Sequence, residues 1–365
     1  MNENDASRHD SLKAFGWDDA RAREFAQLDF GKDALPGRVV IRHKGMYTLR
    51  TPHGEVFARI KGYLRYKAGT RAELPVVGDW VAIAKKPHEE MWRIQAVLER
   101  RTQLRRKVQG KRAVPQVIAA NVTTVVVVMG LTEDFNLRRL ERYMVLVHES
   151  GARPFIVLNK ADLLDEEWLE ASLDEVGAIV GDAETVTVSA LDEDSARAAL
   201  APLLAEGETL VFVGSSGAGK STLINAILGE ERFRTGAVRA SDGKGRHTTT
   251  VREMVLTPQG AVVIDSPGIR ELQLLDMDEG LGEAFADIEE LAAQCRFRDC
   301  THTSEPGCAI ADAIENEELD EERFASYLKL HEESEHNTSR RKNQIEEQRK
   351  AFREIQKTRR REGRE

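Results

Sequence analysis

The chain has 365 residues, of which 41% are hydrophobic and 32% charged, with a formal net charge of −9. That length predicts two to three domains with a sizeable core, and three cysteines are too few for a disulfide framework. No apolar run reaches membrane-spanning length and no basic region followed by an apolar stretch opens the chain, so a cytoplasmic monomer with no membrane attachment is expected.

The charge is uneven. Residues 38–112 carry 19 Lys and Arg against 6 Asp and Glu, and residues 340–365 carry 11 against 5. A basic module joined to an acidic body points to phosphate-backbone contacts through one face, and hence to nucleic acid.

In chain order, residues 1–35 read as an N-terminal extension with a helical pattern from Leu12 to Leu28, closed by Pro36-Gly37. Residues 36–112 hold five short segments rich in Val, Ile, Phe, Tyr and Trp (38–43, 45–51, 55–60, 79–84 and 91–98) separated by turn signals. They predict a small basic OB-type β-barrel, a signature that an SH3-like barrel shares. Tyr47, Phe57, Tyr63 and Tyr66 are candidates to stack on bases, with core packing as the competing role. Residues 100–116 read as a basic connector.

Residues 113–275 change character. Continuous apolar runs at 122–129, 154–158, 185–188, 209–213 and 261–264 read as buried parallel strands, and 137–150, 195–204 and 220–228 as helices between them. The pattern predicts a doubly wound α/β domain. Residues 276–335 are helical and charged around a Cys/His cluster, and 336–365 form a basic helical tail.

Gly214-Ser215-Ser216-Gly217-Ala218-Gly219-Lys220-Ser221 fits G-x-x-x-x-G-K-[ST] between a strand and a helix that opens with Thr222. Its backbone N–H groups would cradle phosphates, Lys220 would reach the β- and γ-phosphates, and the Ser221 hydroxyl would ligate Mg²⁺. Asn159-Lys160-Ala161-Asp162 follows an apolar strand. The Asp162 carboxylate can accept both N1–H and N2–H₂ of guanine, a donor pair that adenine lacks. Asn159 would tie this loop to the phosphate loop, and the Lys160 stem would cover the base. Ser189-Ala190, after the next strand, offers a backbone N–H to guanine O6.

Asp265-Ser-Pro-Gly268 has the D-x-x-G form, with Asp265 expected to hold Mg²⁺ through water and the Gly268 N–H to meet the γ-phosphate. Before it, Gly245-Arg-His-Thr-Thr-Thr250 supplies a switch threonine for Mg²⁺, Thr249 favoured and Thr248 next. The order is permuted: ordinary small GTPases place the phosphate loop first, whereas here the base-reading loops precede it. The domain termini have moved, and the D-x-x-G element now runs straight into the C-terminal region. The position after Gly268, a glutamine in Ras-like enzymes, is Ile269, so intrinsic hydrolysis is expected to be slow. His247 is the candidate to order the water, with an RNA partner as the alternative.

Cys295-x₄-Cys300-x-His302-x₅-Cys308 uses all three cysteines. Three thiolates and an imidazole suit one structural tetrahedral Zn²⁺ per chain, with no position left open for water.

These motifs in this order resemble the circularly permuted GTPases called RsgA or YjeQ. NKAD at 159–162, GSSGAGKS at 214–221, GRHTTT at 245–250, DSPG at 265–268 and the cysteine cluster carry the resemblance. It implies an OB-fold N-terminal domain, a C-terminal zinc module and GTP hydrolysis to GDP stimulated by the small ribosomal subunit. It also implies a role in late maturation of that subunit in contact with its rRNA. Two other readings stand beside it. One is an rRNA-binding assembly factor that uses GTP as an occupancy switch; the other is a P-loop kinase or ATPase, against which NKAD argues.

Overall fold

The computed structural model describes residues 7–28, 30–31, 33–43, 45–68, 71–85, 88–107, 115–132, 135–233, 252–265, 278–297, 300–302 and 305–334. The chain divides into two compact units, one drawn from residues 1–105 and 117–272 and the other from 106–116 and 273–365.

In the first unit the N-terminal extension is two short pieces rather than one helix. A 3₁₀ segment, Ser7–Phe15, stops at Gly16, whose φ of +81° a helix does not tolerate. Asp18 then caps α1 (Asp19–Ala26) by accepting from the Arg21 N–H at 2.8 Å. Pro36-Gly37 is not a break. Both lie in β1 (Leu35–Arg42), where Pro36 occupies the second position and Gly37 lets Leu49 approach.

β1 continues into β2 (Tyr47–Thr51), β3 (Gly54–Ile60), helix α2 (Gly62–Lys67), β4 (Trp80–Ala84) and β5 (Trp92–Val97). The ladder runs β1-β2-β3-β5-β4 and closes by β4 pairing back onto β1, Leu35↔Ile83 to Arg38↔Trp80. Alternation on these strands sends Val39, Leu49, Ala58, Val81, Ile83 and Ile94 inward. The result is a closed five-stranded barrel. Tyr47 belongs to that core, whereas Phe57 and Tyr63 are exposed; the Tyr66 side chain lies outside the described residues.

The basic connector is structured where it is described: β6 (Gln103–Lys107) and β7 (Pro115–Ala120) form a two-stranded sheet. Its first arginines are already engaged. Arg100 grips Asp79 with two 2.8 Å bonds and Arg101 pairs with Asp18. Buried Arg38 donates to the carbonyls of Phe15, Gly78 and Asn121, and buried Arg21 donates to the Asn121 side chain. Extension, barrel and α/β sheet are therefore joined by buried, charge-assisted hydrogen bonds.

The α/β part follows as β8 (Thr124–Gly130), α3 (Leu137–Ser150), β9 (Arg153–Asn159), α4 (Glu166–Val180), β10 (Glu184–Val188), α5 (Glu193–Leu200), β11 (Thr209–Gly214), α6 (Lys220–Leu228), β12 (Glu253–Leu256) and β13 (Val262–Asp265). The spatial order is β10-β9-β8-β11-β13-β12, parallel except for β12. Val125 to Val128 and Leu210 to Val213 are buried, as expected of strands covered on both faces. α3 packs with α4, and α5 with α6. β12 pairs both with β13 and, at Ile41↔Glu253, with β1, so the barrel and the α/β sheet share one eleven-stranded ladder.

In the second unit, α7 (Asp278–Ala284), α8 (Ala286–Ala292), α9 (Ala309–Glu315) and α10 (residues 321–334) surround Phe285, Ile288, Ile310, Phe324, Tyr327 and Leu330. Arg323 lies over the Phe285 ring and forks onto Asp287 at 2.7 and 2.8 Å. Residues 336–365, read as a basic tail, lie outside the described residues.

Candidate functional site

The chain's connections reverse direction between β8 and β11: β8 leads outward to β9 and β10, and β11 to β13 and β12 on the other side. The crevice at the carboxyl ends of such a pair is where an open α/β sheet binds ligands. Residues 214–221 sit there, between β11 and α6.

Two glycines of this loop are required by contact. A Cβ on Gly214 would lie 2.1 Å from the Val128 carbonyl oxygen, and one on Gly219 1.9 Å from the Asn159 amide nitrogen. Gly219 also has φ +101° and opens α6 with no side-chain cap, leaving the first N–H groups of that helix to a ligand. Lys220 bends back, and its ammonium donates to the Gly214 and Ser215 carbonyls at 2.9 and 2.5 Å. Ser216 and Gly217 form the exposed rim, Ala218 is buried beneath it, and Ser221 and Thr222 are half-buried at the helix start.

Asn159, buried at the end of β9, joins three loops. Its amide donates to the Ala218 carbonyl at 2.7 Å, and its carbonyl oxygen accepts from the Ala190 N–H at 2.8 Å. The amide proposed for guanine O6 is therefore occupied at Ala190. Leu191, next on the same turn, donates its N–H to nothing among the described residues. Lys160 takes left-handed φ/ψ of +68° and +33°, rare for a side chain that is not Gly, Asn or Asp. That turn lays its stem beside Gly130: a Cβ there would stand 3.6 Å from Lys160 Cε and 3.7 Å from Ala218 Cα. Ala161 is half-buried, and the Asp162 carboxylate is exposed and accepts no hydrogen bond among the described residues. Ser189 is half-buried.

Asp265 ends β13, its backbone paired with Glu253; its side chain, together with His247, Thr248, Thr249, Gly268 and Ile269, lies outside the described residues. One contributor escaped the sequence reading. Buried Asn225 in α6 accepts from the N–H groups of Arg232 and Phe233 and donates to the Phe233 carbonyl at 2.7 Å, fixing the chain as it leaves the nucleotide helix. An amide within an otherwise apolar helical run was the available signal.

In the second unit the ligand atoms of Cys295, Cys300, His302 and Cys308 all lie within 4.8 Å of one another. Cys295 Sγ and Cys308 Sγ are 4.0 Å apart, and each is 3.5 Å from His302 Nδ1. With Zn–S about 2.3 Å and Zn–N about 2.0 Å, tetrahedral geometry asks for roughly 3.8 and 3.5 Å. The donor set fits a closed metal site. Burial, then the neighbouring Cys308 and Cys295, push the Cys300 thiol up to about 11, crowding that a dication relieves. Cys308 also caps α9 through the Ala311 N–H, and the His302 ring meets the edge of Phe324, so the cluster is continuous with the small core.

Comparison with known proteins agrees with this geometry. The RsgA GTPase family model matches residues 97–275. The small ribosomal subunit biogenesis GTPase RsgA of Opitutus terrae is 47% identical over 88% of this chain and 89% of its own length. The crystal structure of YjeQ from Thermotoga maritima superposes with a TM-score of 0.61 at 28% identity, covering 82% of this chain and 98% of that one. The crystal structure of YloQ, a circularly permuted GTPase, shares the fold with a TM-score of 0.59 at 24% identity, over 84% of this chain and 97% of its own. A relative this similar over nearly its whole length, and a phosphate loop that follows its base-reading loops in the chain, place this protein in the RsgA GTPase family.

Proposed function

We propose that the protein hydrolyses GTP to GDP and phosphate while bound to the small ribosomal subunit and its rRNA, late in that subunit's maturation. The observation that carries the reading is the pair of Asn159 hydrogen bonds joining NKAD, the phosphate loop and the Ser189-Ala190 turn. In this reading the barrel meets RNA through exposed side chains that include Phe57, Arg59 and Tyr63. The zinc module and the tail act as separate segments along the division 1–35, 36–112, 113–275, 276–335 and 336–365.

Asp162 accepts from guanine N1–H and N2–H₂, and the Lys160 stem covers the base. The amides of 214–219 and Lys220 hold the phosphates; a Mg²⁺ held by Ser221, Thr249 and, through water, Asp265 would neutralise the charge developing on them. Gly268 N–H meets the γ-phosphate, and His247 orients the water. Cys295, Cys300, His302 and Cys308 hold one structural Zn²⁺.

Ile269 in place of a water-orienting glutamine favours a second reading, in which GTP acts as an occupancy switch and turnover is incidental. The deciding measurement is GTP turnover alone, with purified small subunits and with large subunits. Stimulation by small subunits only is the expected result. Equal, slow turnover in all three would favour the occupancy switch.

A further inference from the structure

Residues 161–196 contain twelve Asp and Glu and no Lys or Arg, which leaves a net charge of +3 for the rest of the chain. This stretch is the turn after β9, then α4, β10 and the start of α5, at the end of the sheet opposite the barrel. On α4, Glu166, Glu167, Glu170, Asp174 and Glu175 are exposed, and none pairs with a cation among the described residues. Elsewhere in the unit Asp18, Glu24, Asp79, Glu89, Glu141 and Glu253 each hold an arginine, while exposed Glu55, Glu90 and Glu231 hold none among the described residues.

The α4 arrangement costs stability. Glu166, Glu170 and Asp174 follow one another at i,i+4, a spacing at which like charges repel. The helix dipole favours the two glutamates of the first turn but not Glu170, Asp174 or Glu175. Within this field stand two large apolar side chains, Trp168 at 67% exposure and Leu163 at 62%. A merely solvated helix needs neither.

We propose that the outer face of α4, with Trp168 and Leu163 at its amino end, docks a cationic polypeptide segment carrying an apolar anchor. The unpaired carboxylates complement Lys and Arg and repel a phosphate backbone, which selects protein over RNA. Trp168 and Leu163 supply the apolar contact that gives such a dock its strength. The source of the segment, a basic protein of the small subunit, rests on the function proposed above; the surface itself does not.

Two measurements separate these. The first compares the wild type, the Glu170→Lys/Asp174→Lys double variant and Trp168→Ala for binding to intact small subunits and to protein-free rRNA at low salt. Both variants should bind intact subunits about tenfold more weakly, with rRNA binding unchanged or tighter. Undiminished binding to intact subunits, or equal losses on both ligands, would overturn the proposal. The second titrates the wild type and Trp168→Ala with a synthetic Lys/Arg-rich peptide containing one leucine and follows the tryptophan fluorescence that Trp168→Ala removes; Trp17 and Trp80 are buried and Trp92 is half-buried. A saturable shift that the charge reversal abolishes supports the surface even if no subunit binds, a result that would break the functional reading instead. No saturable shift overturns the surface. Basal GTP turnover, unchanged in both variants, checks that they fold.

Discussion

The α/β sheet and the Cys/His unit each hold several loops in place, and they do so by opposite means. The nucleotide loops rest on a finished core: buried strands set the backbone, Gly214 and Gly219 leave room, and Asn159 ties the ends together. The cysteines and histidine of the second unit are themselves part of a small core, packed on Phe324 and capping α9. The difference teaches that a ligand can be an addition to one fold and a constituent of another.

The sharpest way to break that contrast is to remove the zinc proposed above. Chelation, or Cys308→Ser, should unfold residues 278–334, because a structural zinc site contributes on the order of 10 kcal/mol to folding. Amide hydrogen exchange should rise there while β8–β11 stay protected. Rapid exchange in both regions, or in neither, would erase the distinction.

Asn159→Ala comes next. It strands a buried carbonyl at Ala218 and a buried N–H at Ala190, so the sheet unit should lose about 3 kcal/mol in denaturant unfolding, with guanine nucleotide affinity falling as well. Lys220→Ala should instead weaken nucleotide binding about a hundredfold, some 3 kcal/mol, and leave the melting temperature of the ligand-free protein nearly unchanged. Calorimetric titration beside a thermal melt separates the two variants. The smallest effect has the opposite sign. Lys160→Gly relieves a left-handed backbone and should raise stability by about 1 kcal/mol while weakening base binding, because it removes the stem proposed to cover the base.

How much of this was legible in the sequence depended on the scale of the signal. The strand–loop–helix context of 209–228 and the helix at 137–150 were readable because apolar periodicity and motif coincide there. The closed barrel was readable from short, aromatic-rich strands and turn signals. α4 went unread although Leu169, Leu173, Val176 and Val180 repeat at helical spacing; its dense carboxylates masked that stripe. β6 and the first residues of β7 read as a basic connector because Arg100 and Arg101, just before β6, resemble free charge until Asp79 and Asp18, distant in sequence, are seen beside them. In the site, Asn159 and Gly219 were named by motif, but their reciprocal fit, an amide filling the space of a missing Cβ, belongs to the folded chain alone.

The rung formed by Ile41, Glu253 and Asp265 has a mechanical meaning. A module strung on a flexible linker can swing without straining its neighbour. Here the barrel's first strand is bonded to β12, and β12 is bonded to the strand that ends at Asp265. A torque on the barrel is therefore borne by two ladder steps of backbone, and the backbone at Asp265 lies at the far end of that lever.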